Sequence, residues 1–444
     1  MTDFVKSLYL NTRLFLLAGG VAALFVLAYM VPAVFVAAQV ALVLVLLLWG
    51  LDMTLLYARQ GEVLASRHLP DKLSNGDENP VEIAVENRFP FEVGVQVIEE
   101  APEQFQLRNL VFGASLKAGA RATYRYTLRP VERGEYAFGD LNVYLTTFLG
   151  LARRRFVVAQ ATVLPCYPSF MQMRKYQLMA ISNRLTEIGV KKIRRLGHTT
   201  EFEQIKEYVP GDDYRTVNWK ATARSNRLMV NQYVDERAQN VYCLIDMSRA
   251  MKMPFEGMSL LDYAVNAALV LSNIAMYRQD KSGMITFAER VYAHLPASRK
   301  ATQMNLIMEV LYKQETNFKE SDYARLYATV KHQIAQRSLL ILFTNFESVT
   351  AMRRQLPFFQ RLTKSHLLVV IFFENTELRE LIHTPPTNTE EIYIKTIGEH
   401  FTFERRMIVK ELEQHGISAI LTAPADLTVS AVNKYLELKA RGMI

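Results

Sequence analysis

The sequence has almost no cysteine: only Cys166 and Cys243 occur among its 444 residues. Two cysteines so far apart supply neither a disulfide framework nor the spaced thiolate pairs of a metal site. Cys243 also lies in an apolar run that is typical of a buried strand. We therefore expect the bulk of the chain to fold in a reducing compartment.

The motifs of several enzyme and nucleic-acid-binding classes are missing as well. The chain has no glycine-bracketed nucleophilic serine and no His-Glu-x-x-His pair, and no glycine-rich phosphate loop follows the first apolar strand of its C-terminal half. The basic cluster at residues 191–195 has no interleaved aromatic residues for base stacking. We predict that the chain is not an enzyme and has no nucleic-acid partner.

Charged side chains are absent from residues 14–51. This run is roughly twice the ~20 residues that one helix needs to cross a bilayer, so it predicts two helices. Val31-Pro32 divides the run, because a residue before proline is pushed away from helical geometry. Residues 1–60 are therefore predicted to form a transmembrane helical hairpin, with a cleaved signal peptide as the competing interpretation.

Basic residues flank both ends of the apolar run. Lys6 and Arg13 precede or open it, and Arg59, Arg67 and Lys72 follow it. Positive charge favours the cytoplasmic side of a membrane, so both ends of the hairpin are predicted to face the cytoplasm. The expected location is the cell inner membrane, with a two-helix anchor in the lipid bilayer and the globular part in the cytoplasm.

Residues 61–168 change to a period of two. Apolar and polar residues alternate at strand length over residues 81–86, 92–98 and 122–128, with glycine-containing turns between these runs. Short strands at this spacing predict an all-β sandwich. We see no catalytic constellation in this region and expect a spacer or docking module.

Residues 169–240 form a polar segment that leads into the C-terminal region. Its centre is Pro210-Gly211-Asp212-Asp213, which is turn chemistry. Asp213 is predicted to cap a short helix over residues 214–224. The alternative to a catalytic acid pair is structural: the arginines of this helix would pair with nearby glutamates such as Glu207.

Residues 241–444 alternate between strand and helix patterns. This alternation predicts a doubly wound α/β fold, in which helices cover both faces of a mostly parallel sheet. The predicted strands are residues 241–246, 283–287, 339–343, 367–372 and 417–421. The predicted helices are residues 260–277, 302–312, 321–336, 350–362, 402–414 and 427–440.

The segment before this sheet resembles the signature of the domain of unknown function 58 family. The resemblance is carried by Tyr208-x-Pro-Gly-Asp-Asp213 and by further matching positions downstream. The signature residues, whose role is unknown, are Gly211, Asp212, Asp213, Tyr214, Arg215, Trp219, Lys220 and Arg224. The resemblance implies a membrane hairpin, a β-sandwich and a domain similar to von Willebrand factor A. It also implies a non-enzymatic partner or adaptor role beside a MoxR-type AAA+ ATPase.

The same resemblance implies a metal site, which this sequence matches only in part. Von Willebrand factor A domains bind a divalent cation through Asp-x-Ser-x-Ser, a loop threonine and a later aspartate. Here Asp246 and Ser248 match, Ala250 replaces the second serine, Thr316 is the candidate threonine and Asn345 replaces the aspartate. Hard oxygen ligands suit Mg²⁺, so a degenerate Mg²⁺ site is one interpretation. In the other, Asp246 and Ser248 only cap the following loop.

Two functional classes follow from these patterns. The favoured prediction is a membrane-tethered scaffold or adaptor whose strand-end face recognises an acidic or phosphate-poor protein surface, with or without metal. The alternative is an acid/base hydrolase that would use the Asp212/Asp213 turn together with His198.

Overall fold

The computed structural model describes the chain as two compact units, Met1–Tyr167 and Pro168–Ile444. The described residues are 6–57, 62–107, 110–181, 200–210, 212, 214–235, 238–316, 318–376, 378, 382 and 389–443. Each unit is presented separately below.

Two long apolar helices open the first unit. Helix α1 spans Thr12–Met30 and helix α2 spans Phe35–Tyr57, with a short 3-10 turn at Pro32–Val34 between them. Asn11 caps α1 by accepting a hydrogen bond from the Thr12 amide. Most side chains of both helices are exposed although they are apolar, and both are long enough to cross a membrane. The predicted break near Pro32 is where the helices part.

Eleven strands fill the rest of the described first unit. They are β1 Leu8–Leu10, β2 Val63–His68, β3 Leu73–Ser74, β4 Asn79–Asn87, β5 Val93–Glu99, β6 Val111–Leu116, β7 Arg121–Leu128, β8 Gly134–Phe138, β9 Leu141–Thr146, β10 Ala152–Val158 and β11 Thr162–Tyr167. They form sheets in the orders β1-β10-β9-β5-β6, β2-β4-β7 and β3-β11-β8. Inward residues of the first two sheets, such as Val95 and Ile83, share one hydrophobic cluster. Alternating burial along β5 confirms a period of two there.

The hairpin is joined to the five-stranded sheet by pairing and by a buried carboxylate. Strand β1, just before α1, pairs antiparallel with β10. Asp52, near the end of α2, is completely buried and accepts hydrogen bonds from Thr147 and from the Leu151 and Ala152 amides. A carboxylate that receives several donors is well compensated for its burial. Asp52 therefore anchors α2 to the loop between β9 and β10.

The second unit contains the remaining helices and strands. Its strands are β12 Thr200–Glu207, β13 Met229–Asp235, β14 Asn240–Asp246, β15 Pro254–Phe255, β16 Met258–Ser259, β17 Lys281–Phe287, β18 Val291–Ser298, β19 Leu339–Phe343, β20 Leu367–Phe373 and β21 Ser418–Thr422. Its helices, numbered onward, are α3 Phe170–Ile181, α4 Trp219–Ser225, α5 Leu260–Tyr277, α6 Gln303–Tyr312, α7 Tyr323–Gln333, α8 Val349–Thr363, α9 Thr389–Gln414 and α10 Leu427–Ala440.

A six-stranded sheet organises this unit, in the order β18-β17-β14-β19-β20-β21. All its neighbours pair in parallel except β17 and β18. Val241, Cys243 and Ile245 face a cluster that includes α5 and α10, whereas Tyr242 and Leu244 face a cluster that includes α7, α8 and α9. Strand β14 is thus buried on both faces, and its carboxyl end carries Asp246 to the edge of the sheet.

Three differences separate the predicted elements from the observed ones. The signature segment is not one helix capped by Asp213: a 3-10 turn at Tyr214–Thr216 precedes α4, and the Asn218 side chain caps α4 by accepting from the Ala221 amide. Strand β18 was not predicted, because its Pro296 obscures the pattern at a sheet edge. Helix α9 begins at Thr389, well before the predicted residue 402.

Candidate functional site

The carboxyl end of β14 places Asp246 at the centre of a dense hydrogen-bond network. Oδ1 of Asp246 accepts from the Ser248 amide at 2.9 Å and from the Ser321 hydroxyl at 2.5 Å. Oδ2 accepts from the Thr344 hydroxyl at 2.6 Å and from the Tyr323 hydroxyl at 3.2 Å. A carboxylate has about four lone-pair positions. Protein groups therefore surround both oxygens of Asp246.

The aromatic member of this network is held in its neutral form. Tyr323 is buried, and its hydroxyl also lies 2.7 Å from that of Thr344. Burial, followed by the negative charge of Asp246, raises the pKa of Tyr323 well above its usual value. Tyr323 therefore remains a hydrogen-bond donor throughout the physiological pH range.

Asn345, which stands where a metal site would have its second carboxylate, contacts an arginine of the protein. Nη1 of Arg405, on α9, donates to Oδ1 of Asn345 at 2.8 Å and also to the carbonyl of Phe373. The amide nitrogen of Asn345 donates to the Ala250 carbonyl at 3.3 Å. Burial lowers the pKa of Arg405, and the neighbouring Glu374 carboxylate acts in the opposite direction. Asn345 is thus engaged at both ends of its amide.

The four predicted metal ligands do come from loops that meet at this edge of the sheet. Thr316 donates to the carbonyls of Met247 and Ser248, at 2.9 and 3.1 Å. Mg²⁺ would need free oxygen lone pairs in octahedral array, whereas protein donors surround both oxygens of Asp246 and Asn345 faces a guanidinium. The arrangement of these side chains does not fit a divalent cation. Nor does the described part of the chain contain a group of three or more His, Cys, Asp and Glu residues suited to metal binding.

A shallow crevice of about 90 Å³ lies over this network, with charged residues at its mouth. Arg249 forms ion pairs with Glu320 at 3.2 Å and with Glu347 at 3.7 Å, and all three side chains are more than half exposed. Arg354 at the start of α8 adds an exposed positive charge. The crevice therefore has charged side chains at its mouth and hydrogen-bonded side chains in its floor.

The signature segment forms a different kind of surface. Strands β12 and β13 pair antiparallel, and α4 lies in the connection between them. Tyr214 and Trp219 are both 72% exposed. The cationic residues Arg215, Lys220 and Arg224 are exposed beside them in sequence. We call Tyr214, Arg215, Trp219, Lys220 and Arg224 the signature patch.

The acidic turn of the signature braces the backbone. Asp212 accepts from Lys206 Nζ at 3.0 Å and from the Val209 amide at 3.1 Å. The hydrogen bond from Lys206 is the main cause that lowers the pKa of Asp212. A carboxylate held ionised in this way is poorly suited to act as a general acid. Gly211, Asp213 and His198, which the hydrolase hypothesis also needs, lie outside the described residues.

Several residues of the network were absent from the sequence prediction. Ser321, Thr344 and Tyr323 complete the shell around Asp246, and Arg405 occupies Asn345 from a helix about 60 residues downstream in the chain. Thr344 directly precedes Asn345, so its place next to a predicted ligand could have identified it. No local pattern could have identified Arg405, because its contact with Asn345 depends on how α9 packs.

Comparison with known proteins finds a family model that matches the signature. Residues 204–381 match the family described as protein of unknown function DUF58, which confirms the resemblance over that part of the chain. The uncharacterized protein YeaD of Bacillus subtilis (strain 168) is 28% identical over 191 residues. That alignment covers 41% of this chain and 47% of YeaD, so it spans about half the length of the relative.

Two solved structures resemble part of the chain. The VWA domain of SpRpn10 matches with a TM-score of 0.29 and 13% identity, covering 44% of this chain and 95% of that domain. The conserved hypothetical protein BatB of Bacteroides thetaiotaomicron matches with a TM-score of 0.29 and 12% identity, covering 46% of this chain and all of that structure.

Proposed function

We propose that this chain is a membrane-tethered scaffold or adaptor that binds a protein partner and carries out no chemistry of its own. The two apolar helices would hold it in the bilayer, with both globular units in the cytoplasm as the flanking basic residues predict. A MoxR-type AAA+ ATPase is the proposed partner, following the resemblance to the DUF58 family.

The observation that carries this proposal is the exposure of the signature patch. Tryptophan, tyrosine and arginine dominate the binding energy of protein interfaces, because they bury large areas and also form polar contacts. Here Trp219 and Tyr214 stand in solvent beside three cationic residues. Exposed aromatic rings flanked by positive charge suit an acidic partner surface, since opposite charges guide association and fix its register.

We further propose that the crevice over Asp246 works without a resident cation. Its carboxylate lies within hydrogen-bond distance of four protein groups, and Arg405 supplies the positive charge beside Asn345. The crevice would then contribute to docking through Arg249 and Arg354 at its mouth. Binding of the partner should accordingly depend on ionic strength but not on Mg²⁺.

The test is co-purification of the full chain with a MoxR-type ATPase from the same organism. The chain is solubilised in detergent, and the ATPase is supplied with ADP, ATP or a slowly hydrolysed ATP analogue. Trp219→Ala should weaken capture by about thirtyfold, the effect of losing a hot-spot side chain worth about 2 kcal/mol. Arg227→Gln is the matched control, because Arg227 is exposed just outside the patch and pairs with Glu207 at 3.3 Å.

A second pair of variants tests the crevice. Arg354→Gln removes a charge at its mouth, and Lys364→Gln removes another exposed charge just beyond the C-terminal end of α8. The proposal predicts weaker capture for Arg354→Gln only. Failure to capture the ATPase in every nucleotide state would count against the partner, and equal capture by Trp219→Ala and the parent chain would remove the signature patch from the interface.

A further inference from the structure

We propose that the first unit binds the head group of a phospholipid that carries both a phosphate and a primary ammonium. The site is a groove of about 770 Å³ across the outer face of the five-stranded sheet, beside the start of α1. We call it the head-group groove. The lining residues used below are Arg13, Glu92, Gly94, Ser115, Phe148 and Arg153.

The groove lies at the depth of lipid head groups if the hairpin spans a bilayer. Helix α1 has 19 residues, and at 1.5 Å per residue it is about 28 Å long, close to the ~30 Å hydrocarbon thickness. Its first residue therefore lies at one membrane face. Because α1 and α2 run antiparallel around Pro32–Val34, Asp52 returns to the same level as Arg13. The loop anchored by Asp52 contains Phe148, whose side chain is 67% exposed.

One end of the groove is cationic. Arg13 lies in the first turn of α1 and donates to the Leu149 carbonyl at 3.4 Å. Arg153 donates to Asn11 Oδ1 at 2.8 Å and to Gln96 at 3.2 Å, while its buried Nε has no hydrogen-bond partner among the described protein groups. Guanidinium groups recognise phosphate oxygens by paired hydrogen bonds, and a helix N-terminus adds to the attraction for an anion.

The other end of the groove carries a carboxylate. Glu92 lies just before β5, and its Oε1 accepts from the Ser115 hydroxyl on β6 at 2.6 Å. A purely anionic ligand would be repelled by this exposed carboxylate, whereas an ammonium group would pair with it. The groove thus has opposite charges at its two ends, which matches a zwitterionic head group better than an anionic one.

The spacing of the strands sets the distance between these charges. Arg153 is on β10 and Glu92 precedes β5, with β9 between the two strands. The register sets Arg153 level with Gly94, and Glu92 lies two residues before Gly94 in the chain. Two inter-strand spacings of about 4.8 Å and two residues of about 3.4 Å along the strand therefore separate the backbones of Arg153 and Glu92 by about 12 Å. A zwitterionic head group that contacts both side chains must span this separation less the reach of the two side chains. Gly94 lies in the floor of the groove, where an added Cβ would come within 2.4 Å of Thr146 Oγ1.

The neighbouring aromatic residue suits the acyl portion of the same molecule. Phe148 lines the groove from the loop that Asp52 anchors, and it is exposed at the predicted membrane face. Aromatic rings are favoured at the membrane interface because they combine an apolar body with tolerance of the head-group region. A phospholipid can thus place its head in the groove and its glycerol end beside Phe148.

The test is native mass spectrometry of the full chain in detergent, titrated with phosphatidylethanolamine, phosphatidylcholine or phosphatidylglycerol of identical acyl chains. Phosphatidylethanolamine should bind about fivefold tighter than phosphatidylcholine, because a primary ammonium donates hydrogen bonds to the Glu92 carboxylate and a quaternary ammonium has no N–H to donate. Glu92→Gln should remove this preference while keeping an acceptor for Ser115. Arg13→Gln should weaken phosphatidylethanolamine and phosphatidylcholine by a similar factor, because both carry the phosphate.

The matched controls are Glu82→Gln and Arg125→Gln. Each removes one partner of an exposed ion pair of 3.1 Å on the β2-β4-β7 sheet, and neither should change the affinity for any of the lipids. Soluble phosphoethanolamine separates a lipid from a free metabolite and should bind far more weakly than the lipid. The assignment would be overturned by equal binding of phosphatidylethanolamine and phosphatidylcholine, by tighter binding of phosphatidylglycerol, or by free phosphoethanolamine binding as tightly as the lipid. None of these outcomes depends on the proposed ATPase partner.

Discussion

Replacement of Asp52 should loosen the loop between β9 and β10 without removing the hairpin from the membrane. The Asp52 carboxylate accepts from the Leu151 and Ala152 amides, each at 2.8 Å, and from the Thr147 hydroxyl. Alanine would leave these donors without an acceptor in a place that water does not reach. Each buried donor left unpaired costs about 1 to 3 kcal/mol, so we expect local opening to become easier by about 4 kcal/mol.

Replacement of Asp52 by asparagine separates the contribution of the negative charge from that of the hydrogen bonds. Its remaining oxygen can still accept from the two amides, and its NH₂ group can donate to the Thr147 hydroxyl oxygen. The loss is then mainly that of charge assistance, about 1 kcal/mol. The expected order of stability is therefore the parent chain, then Asp52→Asn, then Asp52→Ala.

Hydrogen exchange of the full chain in detergent reports this opening directly at the Leu151 and Ala152 amides. A change of about 4 kcal/mol corresponds to about a thousandfold faster exchange for Asp52→Ala. Asp140→Ala is the control, because Asp140 accepts from the Gln160 and Ala161 amides at 3.1 and 3.2 Å but is only half-buried. The reasoning fails if the Leu151 and Ala152 amides of both Asp52 variants exchange within twofold of the parent rate. It also fails if Asp140→Ala speeds exchange at these two amides as much as Asp52→Ala does.

Three further predictions concern the second unit. Calorimetry with Mg²⁺ or Mn²⁺ should give no binding heat for the full chain, and a saturable signal lost in Asp246→Ala would restore the metal site. Tyr323→Phe should lower the free energy of unfolding by about 1 kcal/mol, since one donor to a buried carboxylate is lost; an unchanged denaturant midpoint would contradict the network. Burial lowers the pKa of His366 below 6.5 in the folded state. Between pH 6.5 and that lower pKa the unfolded chain binds a proton at His366 and the folded chain does not, so stability is full above pH 6.5 and falls as the pH drops through this window. His366→Asn should reduce the loss of stability on acidification, and parallel pH profiles for both chains would oppose this.

The apolar patterns predicted much of the second unit because local sequence determines them. Strand β14 and helices α5 and α10 lie within a residue of their predicted positions, since long apolar runs and helical periodicity leave few alternatives. Helix starts were harder. Asparagine and aspartate are both good caps, so no sequence pattern favoured Asn218, which caps α4, over the predicted Asp213, which lies outside the described residues.

The candidate site was less predictable, because its chemistry depends on residues that are distant in sequence. Asp246 and Asn345 were identified, but their partners Tyr323 and Arg405 come from helices whose packing no local pattern specifies. Asp52 presents the same difficulty in the first unit. In sequence it only marked the end of an uncharged run, whereas in the fold it holds a loop 95 residues away.

The charge balance around Asp246 explains how a strand-end network with one carboxylate can be stable where a metal-binding domain has two. With two carboxylates and no cation, the strand ends would repel one another, and a divalent ion would be required to join them. With Asn345 in the second position, one negative charge remains, and hydroxyl and amide donors are sufficient to satisfy it. Arg405 then contacts Asn345 without a competing ion. Under the proposed function, a strand-end face built in this way would keep its shape at any metal concentration, and changes in partner binding would come from the partner's own state.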